Sequence, residues 1–280
     1  MGMKIDSHQH FWMYTKEEYP WINEEMSLLK RDFLPNELEP LLNKIGFDGS
    51  IAVQARQCLE ETRWLLGLSN KYSFIKGVVG WVDLCSNELK KQLDEFTANP
   101  LFKGVRHILQ DEFEDQYMLK EQFQKGIKLL GDYGLPFDLL IYPRHIPYAV
   151  ELVKKFPDQK FVLNHIGKPD IKHKVIMPWK EDIQRLAERD NTYVKISGLV
   201  TEADWNEWKE KDFKVYLDVV FDAFGPERVM VGSDWPVCTL SEDYAATIDI
   251  AVNYVNQYAS KYEPHILGEI AESFIPFKIR

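Results

Sequence analysis

The chain has 280 residues, 45% hydrophobic and 28% charged, with a formal net charge of −10. That is ample for a large core, and an acidic chain with no Lys/Arg-rich window excludes nucleic acid and anionic membrane as partners. Cys58, Cys85 and Cys238 stand far apart in no metal-ligand spacing and read as reduced thiols. No apolar run nears the roughly 18 residues of a membrane span, and the first apolar run leaves no room for a signal peptide, so the reading is a soluble, cytoplasmic protein.

β-rich runs alternate with amphipathic segments throughout. The runs predict strands over Met3–Ser7, Gly49–Gln54, Ile75–Val82, Phe102–His107, Phe137–Ile141, Lys160–His165, Thr192–Ser197 and Arg228–Ser233. The spacing predicts helices over Asn36–Ile45, Glu60–Asn70, Asn87–Thr97, Leu119–Tyr133, Pro147–Phe156, Trp179–Asp190, Asp212–Phe224 and Asp243–Tyr262. In the first helix Leu38, Leu41, Leu42 and Ile45 share a face. Gly46, Gly134 and Gly225 sit where C-caps are expected. Eight strands, each followed by a helix, match the count and length of a (β/α)8 TIM-like barrel, and no linker-like tract divides residues 1–280. An open doubly wound sheet is disfavoured, because no Gly-rich phosphate loop follows the first strand.

In such barrels the chemistry gathers at the C-terminal strand ends. Those ends carry His8 and His10, Gln54, Trp81, Arg106 and His107, Tyr142, His165, Lys195 and Ser197, and Asp234. A barrel interior is normally Val, Ile and Leu, so this polar crowding points to a catalytic mouth. Imidazoles and a carboxylate suit a divalent transition ion, and Asp234 is equally a candidate general base toward water. Arg106 can clamp a carbonyl or carboxylate through its fork of donors. Val194 and Ile196 are expected to face the helices, leaving Lys195 and Ser197 inward. Lys168 lies on a loop and reads as solvated surface.

The segment after the first strand runs about 24 residues, Phe11 to Leu34, and holds Phe11, Trp12, Tyr14, Tyr19 and Trp21. A connection that long is usually functional. Trp81, Trp179, Trp205, Trp208 and Trp235 fall at the same end. Indole faces with nearby polar groups suit a carbohydrate-type pocket, and Trp12, Trp81, Trp235, Gln54, Arg106, His107 and Lys195 are its expected substrate contacts.

Six segments resemble the amidohydrolase superfamily: Asp6-Ser7-His8-Gln9-His10-Phe11-Trp12, Arg31-Asp32-Phe33-Leu34-Pro35, Gly104-Val105-Arg106-His107, His165-Ile166-Gly167-Lys168-Pro169, Lys195-Ile196-Ser197-Gly198-Leu199 and Gly232-Ser233-Asp234-Trp235-Pro236. More narrowly they are similar to its sugar-lactonase branch, which includes L-fuconolactonases and L-rhamnonolactonases. The resemblance implies a single distorted (β/α)8 barrel and hydrolysis of aldonolactones in deoxysugar catabolism. The superfamily's strand-1 histidine pair falls on His8 and His10, its mid-barrel histidine on His165 and its last-strand aspartate on Asp234. These four are the expected catalytic residues and the expected ligands of one divalent ion, zinc or manganese. The branch also includes members that work without a metal. No bridging carboxylated lysine is evident, and the seventh strand offers Lys195 and Ser197 where many members have another histidine, which argues against a binuclear centre. The alternatives within the superfamily are a lactonase for an anionic pyrone dicarboxylate, with Arg56, Arg106 and Arg144 as its cations, and a non-oxidative decarboxylase. A non-catalytic sugar-binding barrel is the remaining reading.

Overall fold

A computed structural model describes residues 2–274. Eight parallel strands pair in chain order: β1 (Ile5–Gln9), β2 (Gly49–Val53), β3 (Ile75–Gly80), β4 (Phe102–His107), β5 (Phe137–Leu139), β6 (Phe161–Leu163), β7 (Thr192–Ile196) and β8 (Val229–Val231). The sheet closes beyond the end of β8. There Asp234 donates its backbone N–H to the His8 carbonyl (2.8 Å), and His10 donates to the Trp235 carbonyl (2.7 Å). This closure decides the site, because it carries Asp234 to the histidines.

The helices α1 (Pro35–Ile45), α2 (Leu59–Lys71), α3 (Leu89–Thr97), α4 (Glu121–Asp132), α5 (Ile146–Lys155), α6 (Trp179–Ala187), α7 (Glu210–Phe224) and α8 (Tyr244–Tyr258) follow the strands in turn. Leu38 and Leu42 of α1 are buried while Leu41 and Ile45 pack at the margin, as the spacing requires. Val194 and Ile196 join the core between strands and helices, which leaves Lys195 turned inward. A smaller cluster inside the barrel combines Ile5, Ile51, Val53, Val79, Val162 and Met230 with Ile270 and Ala271 of a final turn, α9 (Ile270–Ser273). That turn plugs the barrel floor. A Cβ on Gly268 would lie 1.7 Å from the Met3 carbonyl oxygen, so only glycine lets the plug approach β1 so closely.

The strands match the expected ones in number and order, but six of them end short of their expected ends. β5, β6 and β8 are three residues each, because the residues beyond them leave the ladder to present side chains at the rim. β1 lies two residues later than expected, with a register shift between Asp6 and Gln9, so it reaches the His8 position within the strand. Among the described residues no helix is long and apolar enough to cross a membrane.

Candidate active site

Asp6 fixes the seam between β1 and β8 from the helix-facing side. Its carboxylate accepts from Ser233 Oγ (2.6 Å), the Ser233 backbone N–H (2.9 Å), the His8 backbone N–H (3.1 Å) and the Tyr244 hydroxyl (3.2 Å). Burial outweighs these bonds and pushes the carboxyl up to about 6. With the seam held, Asp234 adopts a left-handed backbone, φ 60°, that turns its side chain onto the histidines.

His8 Nε2 and His10 Nε2 face each other at 3.2 Å. Asp234 Oδ1 lies 3.2 Å from His10 Nε2, 3.6 Å from His8 Nε2 and 3.8 Å from His165 Nε2. A four-coordinate ion with bonds of roughly 2.0–2.1 Å holds its ligand atoms about 3.3 Å apart, so His8, His10 and Asp234 fit a divalent ion without rearrangement. His10 Nδ1 is bonded to the Val53 carbonyl (2.8 Å) and His165 Nδ1 to Ser197 Oγ (2.9 Å), the type of outer contact that fixes which ring nitrogen faces inward. His8 Nδ1 is buried without a partner. His8 Nε2 is also 3.3 Å from an Arg106 terminal nitrogen, which puts a fixed cation beside the cluster.

Burial lowers all three imidazoles, His8 well below its ordinary range and His165 to about 3, so their nitrogens are neutral at pH 7. Burial works to raise Asp234, but His165, the His10 hydrogen bond and Lys168 pull it lower still, and the carboxyl stays ionised. Burial also brings Arg106 down to about 10, which leaves it charged.

His165 reaches the cluster through an unusual turn. His165, Ile166, Gly167 and Lys168 all have positive φ, between 48° and 75°. Three are not glycine, and each such residue costs on the order of 1–3 kcal/mol. Two supports hold the turn: Trp179 Nε1 donates to the Ile166 carbonyl (2.8 Å), and the Lys168 N–H donates to the His165 carbonyl (2.8 Å). Gly198 makes room for the imidazole, since a Cβ there would sit 2.6 Å from His165 Nδ1. Beneath the cluster, Asp138 Oδ2 accepts from Lys195 Nζ (2.7 Å) and Asn164 Nδ2 (2.9 Å), and Asn164 Oδ1 accepts from Arg106 at 3.4 Å.

A cavity of about 560 Å³ opens above the cluster, within the range of small-molecule sites. Its floor includes His10, His165, Asp234 and Arg106; its walls include Trp21, Tyr142, Lys168, Glu202 and Trp205. An amidohydrolase family model matches residues 5–255, most of the chain and the entire strand-to-strand seam. The chain belongs to the amidohydrolase family. It is 36% identical to an L-fucono-1,5-lactonase of Burkholderia multivorans over 272 residues, covering 94% of this chain and 92% of that protein. It is 29% identical to an L-rhamnono-gamma-lactonase of Scheffersomyces stipitis over 50% of this chain and 47% of that protein. A crystal structure of an amidohydrolase from Burkholderia multivorans with bound zinc superposes with a TM-score of 0.94 at 34% identity, covering 98% of this chain and 99% of that one.

Of the substrate contacts expected from sequence, only Arg106 lines the cavity of this amidohydrolase. Trp12 is fully buried, donates to the Arg31 carbonyl (2.9 Å) and packs on Tyr19, Trp21 and Phe33. Trp235 is buried between Phe11 and Phe33. These rings hold the long β1 loop to the barrel instead of facing a sugar. Trp81 points its Nε1 toward His107 Nδ1 (3.4 Å), while His107 bonds Glu112 (2.6 Å) and stacks on Tyr117. Gln54 is spent on Arg106, accepting from its guanidinium through both Oε1 (3.1 Å) and the backbone carbonyl. Lys195 is buried on Asp138 below the floor. Lys168, read from sequence as solvated, lies on the cavity wall, and Glu202 was not singled out at all. Arg56 and Arg144 are paired with Glu18 and Asp115, so they do not join Arg106 in receiving a dianion.

Proposed function

We propose that this chain hydrolyses a sugar lactone of the L-fucono-1,5-lactone class, opening the cyclic ester by attack of water at its carbonyl carbon. The observation that carries the reading is the meeting of Asp234 with His8, His10 and His165 on the floor of a cavity sized for one small molecule. Relatives named for sugar lactones, aligned over nearly the full chain in one case, support it. His8, His10 and Asp234, with His165 beside them, would hold one divalent ion, zinc or manganese. Such an ion supplies Lewis-acid polarisation of a carbonyl and a lower pKa for bound water.

The residues themselves account for the proton transfers. Asp234, ionised and dehydrated, accepts a proton from the attacking water as the C–O bond forms. The developing oxyanion is stabilised by the Arg106 cation, whose buried charge is only weakly screened. As the ring C–O bond breaks, Asp234 returns the proton to the departing ring oxygen, leaving a hydroxy acid and the starting carboxylate. Three free cysteines accord with a reducing, cytoplasmic setting.

The test is acid release, followed with a pH indicator, against L-fucono-, L-rhamnono-, L-galactono- and D-arabinonolactones, with and without added zinc or manganese. Rapid opening of at least one sugar lactone is expected. Carbon dioxide release from an aromatic acid with every lactone inert would replace this reading with a decarboxylase.

A further inference from the structure

Lys168 and Glu202 stand out once the cluster is accounted for. Both line the cavity that contains Asp234 and His165, and Lys168 Nζ lies 3.5 Å from Glu202 Oε1. Their side chains are only 18% and 21% exposed. Among the described residues neither group has another ion-pair partner, and the 3.5 Å separation is long for a closed ion pair. Two features place the pair. The left-handed turn from His165 to Lys168 sends both of its polar side chains to one cavity, and the Lys172 N–H donates to the Glu202 carbonyl (2.9 Å), tying the β6 and β7 loops together. The cavity lining also has an apolar part, with Trp21, Met26, Val237 and Leu240.

We propose that Lys168 and Glu202 act together as the hydroxyl-reading pair of the site, binding two adjacent ring hydroxyls of the sugar lactone; this rests on the lactonase reading above. An ammonium carries donors only and a carboxylate acceptors only. Held side by side with a gap between them, they match a vicinal diol. One hydroxyl oxygen accepts from Nζ while the neighbouring O–H donates to Oε1. A lone cation would equally suit an anionic ligand, but Glu202 repels one, so the pair selects a neutral polyol. The apolar wall is then left for the carbon-rich side of the ring. The pair touches the substrate away from the reacting carbonyl, so it sets affinity and orientation, and Asp234 keeps the proton chemistry.

The experiment uses the full-length enzyme and two six-membered lactones, L-fucono-1,5-lactone and δ-valerolactone, which has no ring hydroxyls. Lys168→Met and Glu202→Ala are each expected to raise KM for the sugar lactone about ten- to a hundredfold, the usual scale for losing a hydrogen bond to a charged group. The effect on kcat should be far smaller, and kcat/KM for δ-valerolactone should fall much less than that for the sugar lactone, the small residue being the loss of the Lys168 charge near Asp234. The double variant should be little worse than either single one, because the groups act as a unit. Lys168→Arg should restore most of the sugar-lactone affinity. Equal losses on both lactones, or an unchanged KM for the sugar lactone, would overturn the assignment. A loss of folded enzyme alone lowers kcat on both substrates without moving KM, so a purely structural ion pair gives a different pattern and also overturns it. Wild-type enzyme inert toward every sugar lactone would sink the lactonase reading itself, a separate and recognisable outcome.

Discussion

Replacing Lys195 by Met separates a supporting role from a substrate-binding one. Lys195 and Asp138 have side chains 4% and 2% exposed and are 2.7 Å apart, so removing the ammonium strands a buried carboxylate with Asn164 as its remaining side-chain partner. Breaking a buried pair from one side typically costs about 3–5 kcal/mol. A chain of this size loses roughly 2–4 °C of Tm per kcal/mol, so the variant should melt on the order of 10 °C lower. Lys195→Met/Asp138→Leu should recover most of the loss, falling short by about 1 kcal/mol because Asn164 Nδ2 then lacks its acceptor. Urea unfolding at pH 7 measures each ΔG, and initial rates on the best lactone give KM. The account expects a large loss in ΔG with KM within about twofold of wild type, since Nζ lies beneath the floor. A single variant as stable as wild type, or a large rise in KM without loss of stability, would refute it.

Further predictions rest on other groups. Burial under the β2–α2 turn pushes Glu61 from 4.5 up to about 7, outweighing the bonds it accepts from the Arg56 and Ala55 N–H groups, which pull it down. A raised carboxyl makes the folded state bind more protons than the unfolded one between those values. Its contribution to stability is therefore complete below pH 4.5 and lost as pH rises through about 7. At about 1.4 kcal/mol per pH unit, Glu61→Gln should remove a slope totalling roughly 3 kcal/mol from urea-derived ΔG between pH 5 and 8; an unchanged slope would contradict the assignment. With His165 lowered to about 3 and Asp234 below its ordinary range, kcat/KM should show no inflection near pH 6.5, and its acid limb should lie below the usual carboxylate range. For the metal site, calorimetric titration with zinc should show one equivalent bound by wild type and tenfold or weaker binding by His10→Ala.

The meeting of His8, His10 and Asp234 was legible in the sequence, and so was the presence of Trp21, Tyr142 and Trp205 at that end of the barrel, but the cavity-lining positions of Lys168 and Glu202 were not. His8, His10 and Asp234 stand within three residues of strand ends, so a closed barrel alone brings them together, and closure follows from the strand count. Arg106 is the next-to-last residue of β4 and could be placed by the same reasoning. Trp12 and Trp235 were misread because composition says that aromatics are present without saying which face they cover. In the fold they interlock with Phe11, Tyr19 and Phe33. Lys195 was correctly turned inward, but its partner Asp138 lies two strands away, and no local pattern reveals that pairing. Lys168, read as solvated surface, is the clearest misplacement. Its position depends on four successive left-handed residues braced by Trp179, a conformation that sequence propensity argues against at three non-glycine positions. The exception to local preference lies on the cavity wall.

The most direct measurement is the turnover of L-fucono-1,5-lactone, or the best lactone found, by Asp234→Asn beside wild type, with circular dichroism and urea unfolding to confirm the fold. The amide keeps the shape and loses the base. If Asp234 carries the proton between water and ring oxygen, kcat should fall by at least the 10²–10⁴-fold typical of a lost general base, with native structure retained. Near-wild-type turnover by a folded Asp234→Asn protein would contradict the account.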